Sequence, residues 1–311
     1  MIALITGASS GLGRAFAKIL AKRGFDLVIT ARRRPRLIEL KQELTEDYGV
    51  RVKVLPHDLS KPEECMELFE EVEHAKIDIL INNAGFGVFG KFTETDLDRE
   101  LEMIDVNVKA VHILTKLFLQ KFVKRGHGYI LNTASLAGFM AGPWFSSYYA
   151  SKNYVLQLTK AIYEELRADK SNVYIGAFCP GPVRTEFNDV AGADFAVEGI
   201  DEMEAAEYAI DKMFDGQLII VPKMYAKLTA AAAKLAPTKL MLAATAKVQS
   251  SRVRREPEMP VPVNTGADMK LRLSDEELES AVAGMYDDIR EINELNYTDD
   301  NNGTNGGNEN E

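Results

Sequence analysis

The chain begins Met1-Ile2-Ala3-Leu4-Ile5-Thr6-Gly7-Ala8-Ser9-Ser10-Gly11-Leu12-Gly13, and this stretch decides the fold. Residues 2–5 form an uninterrupted apolar run, as a strand buried on both faces requires. Three glycines then fall in the spacing Gly-x-x-x-Gly-x-Gly, and an amphipathic helical pattern follows to about residue 23. Glycines at a strand–turn–helix junction let the backbone turn tightly and approach a pyrophosphate, whose charge is favoured at a helix N-terminus. The bland alternative is a tight turn with no ligand.

A second strand over 27–30 is followed by Ala31-Arg32-Arg33-Arg34. In such units an acid about 20 residues beyond the glycines binds the adenosine ribose 2′-hydroxyl. Ala31 stands in that place, and Asp26 lies at the other end of the strand. Arg32, with Arg33 beside it, suits a 2′-phosphate instead, because guanidinium matches phosphate geometry. Arg34 and Arg36 read as the solvated start of the next helix. A third strand over 52–55 leads into His57-Asp58-Leu59. Asp58 either accepts from an adenine amino group or caps the helix beginning near Pro62, and His57 reads as a packed or exposed loop residue. A fourth strand over 77–81 delivers Asn82-Asn83-Ala84-Gly85, where amides tie neighbouring strands and small residues leave room for a cofactor.

A helical stretch over 95–124 carries Asn107 among Val106, Val108 and Val111. A buried amide needs partners, so Asn107 is either structural or part of a proton relay through water to Lys152. A fifth strand over 129–133 ends at Ala134-Ser135. A sixth over 173–179 runs into Pro180-Gly181-Pro182-Val183-Arg184-Thr185. Residues 189–200 read as a mobile loop, 201–214 as a helix and 217–221 as a seventh strand. Alternating strands and helices imply a parallel doubly wound sheet.

The chemistry centres on Ser147-Tyr148-Tyr149-Ala150-Ser151-Lys152, which opens a helix reaching to about residue 169. The i, i+4 spacing sets Tyr148 and Lys152 on one helix face, about 5–6 Å apart at Cβ. A free tyrosine titrates near pH 10, about three units too high for a base at neutrality, and a neighbouring ammonium favours the phenolate. Tyr149 has Asn153 four residues on and lacks such a partner. An isolated Tyr-x-x-x-Lys is an ordinary surface or core pair; the surrounding motifs change its reading.

The ordered set Thr-Gly-x-x-x-Gly-x-Gly, Asn-Asn-Ala-Gly, Asn107, Ser135, Tyr-x-x-x-Lys and Pro-Gly resembles the classical short-chain dehydrogenase/reductase family over residues 2–222. The resemblance implies a Rossmann-like sheet of about seven strands and an NADP(H)-dependent oxidoreductase. Such an enzyme reduces a ketone, aldehyde or 3-oxoacyl carbonyl to an alcohol, or runs the reverse. Tyr148 would act as general acid/base and Ser135 would orient the substrate oxygen. Lys152 would lower the tyrosine pKa and hold the nicotinamide ribose, and Asn107 would hold a relay water. The implied cofactor set is Gly7, Ser9, Ser10, Gly11, Leu12 and Gly13, then Arg32, Arg33, Asp58 and Leu59. Asn83, Ala84, Gly85, Tyr148, Lys152, Pro180, Gly181, Val183 and Thr185 complete it, with Pro180, Gly181 and Thr185 near the carboxamide. Phe86, Phe89, Leu136, Phe139, Trp144, Phe145 and Phe187 are expected along an apolar pocket for a bulky carbonyl, as in reductases of 3-oxoacyl, steroid or xenobiotic substrates. The alternative is a catalytically silent NADP(H)-binding sensor or scaffold. Such proteins commonly lose the tyrosine or the lysine, and both are present here.

The family also implies a homodimer or homotetramer through helices 95–124 and 147–169, the second being apolar at Val155, Leu158 and Ile162. No apolar run approaches the roughly 20 residues that span a bilayer, and no signal-peptide pattern opens the chain. Cys65 and Cys179 are too few for a disulfide framework, and no metal-ligand spacing accompanies them. A cytoplasmic protein with no bound metal and no nucleic-acid partner is expected.

Beyond residue 222 the chain departs from the compact pattern. Residues 223–255 carry eight basic residues and no acid, and Pro237 divides them into two Ala- and Leu-rich helical pieces. This basic arm either covers the substrate pocket or a partner subunit, lies on an anionic membrane surface, or receives the acidic helix that follows. Residues 256–295 read as a Pro-rich linker plus a helix opened by the capping box Ser274-Asp275-Glu276-Glu277. Residues 296–311 read as a disordered acidic tail. From Glu256 onward fifteen acids face three bases, a local charge of −12 within a total of −10, leaving +2 on the rest. The acidity belongs to the tail and says nothing of the substrate.

Overall fold

In the computed structural model, which describes residues 1–192, 199–222 and 237–250 apart from the side chains of 188 and 189, seven parallel strands alternate with helices. The strands are β1 (Ile2–Thr6), β2 (Asp26–Thr30), β3 (Val52–Leu55), β4 (Ile77–Asn82), β5 (Gly128–Thr133), β6 (Val173–Phe178) and β7 (Ile219–Ile220). Their order is β3-β2-β1-β4-β5-β6-β7. The chain therefore winds outward from β1 in one direction and from β4 in the other. The reversal between β1 and β4 opens a crevice at the carboxyl ends of the strands, where doubly wound sheets bind ligands.

The apolar runs of β1, β2 and β4 are nearly continuous because these strands are covered on both sides, whereas the edge strand β3 exposes Lys53. Ala3, Ile5, Leu27, Ile29, Ile79 and Ile81 feed one core with α1 (Gly11–Lys22) and α2 (Arg34–Tyr48). Their neighbours Leu4, Val28, Leu80 and Ile130 feed the other. This second core is closed by α3 (Pro62–Glu71), by Leu114, Phe118 and Phe122 of α5 (Val111–Arg125), and by Leu166 of α6 (Ser146–Ala168). Burial near 25 cal/mol per Å² on both faces is what holds a parallel sheet. Buried amides add register: Asn82 Nδ2 donates to Asn132 Oδ1 (2.9 Å) between β4 and β5, and Asn132 Nδ2 donates to Thr159 Oγ1 of α6 (3.0 Å).

Three sequence expectations are refined. The helix over 95–124 is two helices, α4 (Leu97–Ile104) and α5, joined by a wider π-type turn at Asp105–Ala110 that carries Asn107. The loop from 189 is partly a short helix, α7 (Phe187–Ala191), and Ile200 forms a bridge with Val183. α8 (Glu202–Phe214) is capped by Asp201, whose carboxylate accepts from Met203 N–H at 2.9 Å. The apolar face of α6 offers less to a partner than its sequence suggests. Of the three apolar residues expected there, Val155 is fully buried within the subunit and Ile162, half-buried, packs on the second core, while Leu158 is half-buried. The exposed large apolar side chains in this region are Leu97 and Leu101 of α4, Val123 of α5 and Tyr154 of α6.

The second piece of the basic arm is a helix, α9 (Thr238–Ser250), starting directly after Pro237. The remaining C-terminal expectations, for 223–236, the linker, the acidic helix and the tail, lie outside the described residues. Among the described residues no helix is long and apolar enough to cross a membrane.

Candidate active site

One cavity of about 660 Å³ runs along the carboxyl ends of the strands. Every predicted site residue lines it except Gly13 and Asn107. At one end lies the glycine turn. Gly7 and Gly11 have φ of +68° and +51°, and a Cβ on Gly7 would stand 2.8 Å from the Ala84 Cα. Gly13 acts from below: a Cβ there would reach 2.2 Å from the Gly7 carbonyl oxygen, so its hydrogen lets α1 start against the turn. Thr6 fixes the turn to β4, its hydroxyl accepting from the N–H groups of Asn83 and Ala84, each at 2.9 Å.

The arginines behind β2 divide unequally. Arg33 lies on the glycine turn, donating from Nη2 to Ser10 Oγ (2.7 Å) and Ser9 Oγ (3.1 Å). Arg32 instead pairs with Glu102 of α4 at 2.6 Å. Arg36 is more than a solvated residue, since its guanidinium meets Glu186 at 2.6 Å. Asp58 does not cap α3: its carboxylate accepts from the Ser60 N–H and hydroxyl in a local turn, and Lys61 stands at the cap position. His57 is buried between Glu64 and Glu71, with Nε2 3.1 Å from Glu71 Oε1.

At the other end, β5 and α6 bring Ser135, Tyr148 and Lys152 together. The Tyr148 ring lies against Phe145 at 4.5 Å and Phe187 at 5.4 Å between centroids, and is only 8% exposed. That apolar enclosure holds the phenol well above its ordinary pKa, while a hydrogen bond with Ser135 pulls it back. Lys152 Nζ donates to the Thr133 carbonyl at 2.9 Å and lies 5.8 Å from the Tyr148 ring centre. Burial lowers its pKa to about 8. Desolvation thus outweighs the attraction expected between the two groups, and it acts on both. Asn107 is fully buried, its amide spent on the Phe86 carbonyl (2.9 Å), the Phe86 N–H (3.1 Å) and the Ser151 hydroxyl (3.1 Å). Wider turns of this kind recur at functional sites, and here one aims an amide at the backbone beside Gly85.

Ser135 is positioned by its own neighbours. Its hydroxyl accepts from Ala137 N–H at 3.1 Å and so caps the single turn Leu136–Phe139. Asn153 pins that turn to α6, donating to the Met140 carbonyl (2.8 Å) and the Ala137 carbonyl (3.0 Å). This role of Asn153 was hidden, because a mid-helix asparagine carries no motif of its own.

Phe86, Leu136, Phe145 and Phe187 line the cavity as expected, whereas Phe89, Phe139 and Trp144 do not. Phe89 backs Phe145 from behind at 5.6 Å, and Phe139 packs on a core cluster around Val155. Met241, Ala244, Thr245 and Val248 of α9 supply a wall that motif reading missed. Their i, i+3, i+4, i+7 spacing was the available signal. Gln249 secures the wall, donating from Nε2 to Tyr149 Oη at 2.7 Å. The described part of the basic arm therefore faces the pocket.

Comparison with known proteins agrees with this geometry. The family model "short chain dehydrogenase" matches residues 1–195. An uncharacterized oxidoreductase of Staphylococcus saprophyticus is 33% identical over 215 residues, 68% of this chain and 91% of that one. A short-chain dehydrogenase from Sphingobium yanoikuyae, solved in complex with NADPH, superposes with a TM-score of 0.70 at 33% identity, covering 75% of this chain and 92% of that chain. The bulky-bulky ketone specific alcohol dehydrogenase from Comamonas testosteroni gives 0.66 at 30% identity, with coverages of 75% and 92%. With the family model spanning most of the sheet and the cavity built at its switch point, the chain belongs to the short-chain dehydrogenase/reductase family of oxidoreductases.

Proposed function

We propose that this chain is an NADP(H)-dependent reductase of bulky apolar carbonyl compounds. The observation that carries the reading is a single cavity with serine hydroxyls and arginines at one end and Ser135, Tyr148 and Lys152 at the other. The donor set fits the cofactor chemically. Backbone at Gly7 and Gly11 is bare for close approach, and Ser9, Ser10 and Arg33 converge as anion donors. Arg33, more than Arg32, is the residue set to take a 2′-phosphate, with Ala31 leaving that place free of a competing acid. When bound, the nicotinamide supplies or accepts hydride.

The rest belongs to the chain. Ser135 holds the substrate oxygen beside Tyr148. The phenol, kept protonated by its enclosure, donates the proton to that oxygen during reduction, the direction for which its resting state is ready. Lys152 stabilises the phenolate left behind, and its charge persists up to about pH 8. Asn107 positions the backbone at Phe86 and would hold a relay water toward Lys152. Phe86, Phe145, Phe187, Met241 and Val248 exclude water and accept an apolar body. The relative specific for bulky ketones and the one bound to NADPH support the same reading. Initial rates over a series of ketones of increasing bulk, each with NADPH and NADH, test it. Higher kcat/KM with NADPH and with bulkier ketones is expected; equal or better efficiency with NADH overturns the cofactor assignment.

A further inference from the structure

The loop after β6 ends in an acid whose position is not explained by catalysis. Glu186 accepts from Arg36 Nη1 at 2.6 and 2.9 Å and from Arg33 Nη1 at 2.9 Å, so one carboxylate is shared by two guanidinium groups. The same Arg33 reaches Ser9 and Ser10 on the glycine turn. Glu186 is thus bound to the group best placed for a 2′-phosphate. Its chain neighbours extend the connection. The Thr185 side chain packs over Gly11, where an added Cβ would lie 3.0 Å from it, and the Phe187 ring lies against Tyr148. Three consecutive residues therefore span from the phosphate end of the cavity to the catalytic phenol.

We propose that Glu186 is a cofactor-discriminating residue: it competes with the 2′-phosphate for Arg33, and its displacement ties phosphate binding to the seating of Phe187 on Tyr148. The proposal rests on the NADP(H) reading above. Its chemistry is an exchange of anions. Glu186 and Arg33 are each about 44% exposed, so water screens the pair and it is individually weak. A phosphate monoester brings up to two charges and three acceptor oxygens, and charge-assisted bonds to guanidinium favour it over a single carboxylate. The same arrangement recurs on the other side, where Glu102 holds Arg32 at 2.6 Å and also pairs with Arg99. An ordinary surface ion pair would not distinguish one nucleotide from another; this one should.

Calorimetric titration of wild type and Glu186→Gln with adenosine 2′,5′-bisphosphate and with adenosine 5′-monophosphate tests the competition without turnover. Glu186→Gln is expected to tighten the bisphosphate about two- to tenfold, the range that weak exposed pairs provide, and to move the monophosphate less than twofold. In an Arg33→Ala background the gain should vanish. Equal changes for both nucleotides, or no change while wild type still prefers the bisphosphate, overturns the role of Glu186. If wild type itself does not distinguish the two nucleotides, the NADP(H) reading falls, and the proposal with it.

Discussion

The two ends of the cavity hold cations by opposite physics. At the inner end Lys152 is buried, gives one hydrogen bond to a carbonyl and has its pKa depressed to about 8. At the outer end Arg33 and Arg36 are half-exposed and share Glu186. Inside, desolvation sets the energetics and salt has little access. Outside, each pair contributes about 1 kcal/mol or less and is screened within a Debye length of about 10 Å. The inner end is suited to moving one proton, and the outer end to exchanging one anion for another.

The largest expected effect removes the inner proton. Tyr148→Phe keeps the ring between Phe145 and Phe187 and deletes only the hydroxyl. Turnover should fall by about 10²–10⁴-fold, the usual contribution of a placed acid/base. NADPH affinity, followed by fluorescence titration, should change less than threefold. A variant with wild-type turnover would break the division between the two ends.

The inner lysine makes a prediction about pH and stability. Its folded pKa lies below the unfolded value near 10.5, so between about pH 8 and 10.5 the unfolded chain binds more protons. Stability attributable to this residue must therefore rise with pH across that window. Compared with Lys152→Met, wild type should gain on the order of 3 kcal/mol between pH 7.5 and 10.5. Urea unfolding at several pH values measures the difference, which also cancels the shared Tyr148 titration. A flat difference would mean that Lys152 is hydrated and that burial does not govern this end.

At the outer end, Arg33→Ala removes donors that reach both serine hydroxyls. NADPH binding should weaken about 10- to 100-fold, as for a hydrogen bond to a charged group, with NADH nearly unchanged. The loss should shrink as salt rises, which sets it apart from the inner variants. If Arg32→Ala shows the larger effect, Arg32 leaves Glu102 for the phosphate and the ranking of the two arginines reverses.

What the sequence made legible follows the same divide. The inner end was readable because its chemistry needs fixed residue types at fixed spacing: Tyr148 and Lys152 four apart on one helix, Ser135 at a strand end. The sheet was readable because buried parallel strands must be apolar throughout. The outer end was readable only as a charge, since Arg32 and Arg33 are adjacent and their choice between Glu102 and Ser10 is tertiary. The Tyr148 pKa ran against the local reading, because helix spacing brings in Lys152 but says nothing of Phe145 and Phe187, which arrive from elsewhere. Asn107 is legible in the sequence as structural or as part of a relay, while its side-chain partners at Phe86 and Ser151 come from elsewhere in the chain.

The smallest effect concerns α9, which belongs to neither end and closes the cavity between them. Gln249 is fully buried and bonds the Tyr149 hydroxyl, while Met241 and Val248 face the space a bulky substrate would fill. A neutral hydrogen bond contributes about 1 kcal/mol. Gln249→Leu keeps the volume and loses the bond, so it should loosen α9 without disturbing the sheet, whose cores α9 does not enter. KM for bulky ketones should rise about threefold to fivefold, while kcat and NADPH affinity hold. A small ketone that does not reach α9 should show no change, which separates a wall from a general structural support. Equal losses for small and bulky ketones would instead make α9 part of the framework that holds Tyr149, and through it the first turn of the catalytic helix.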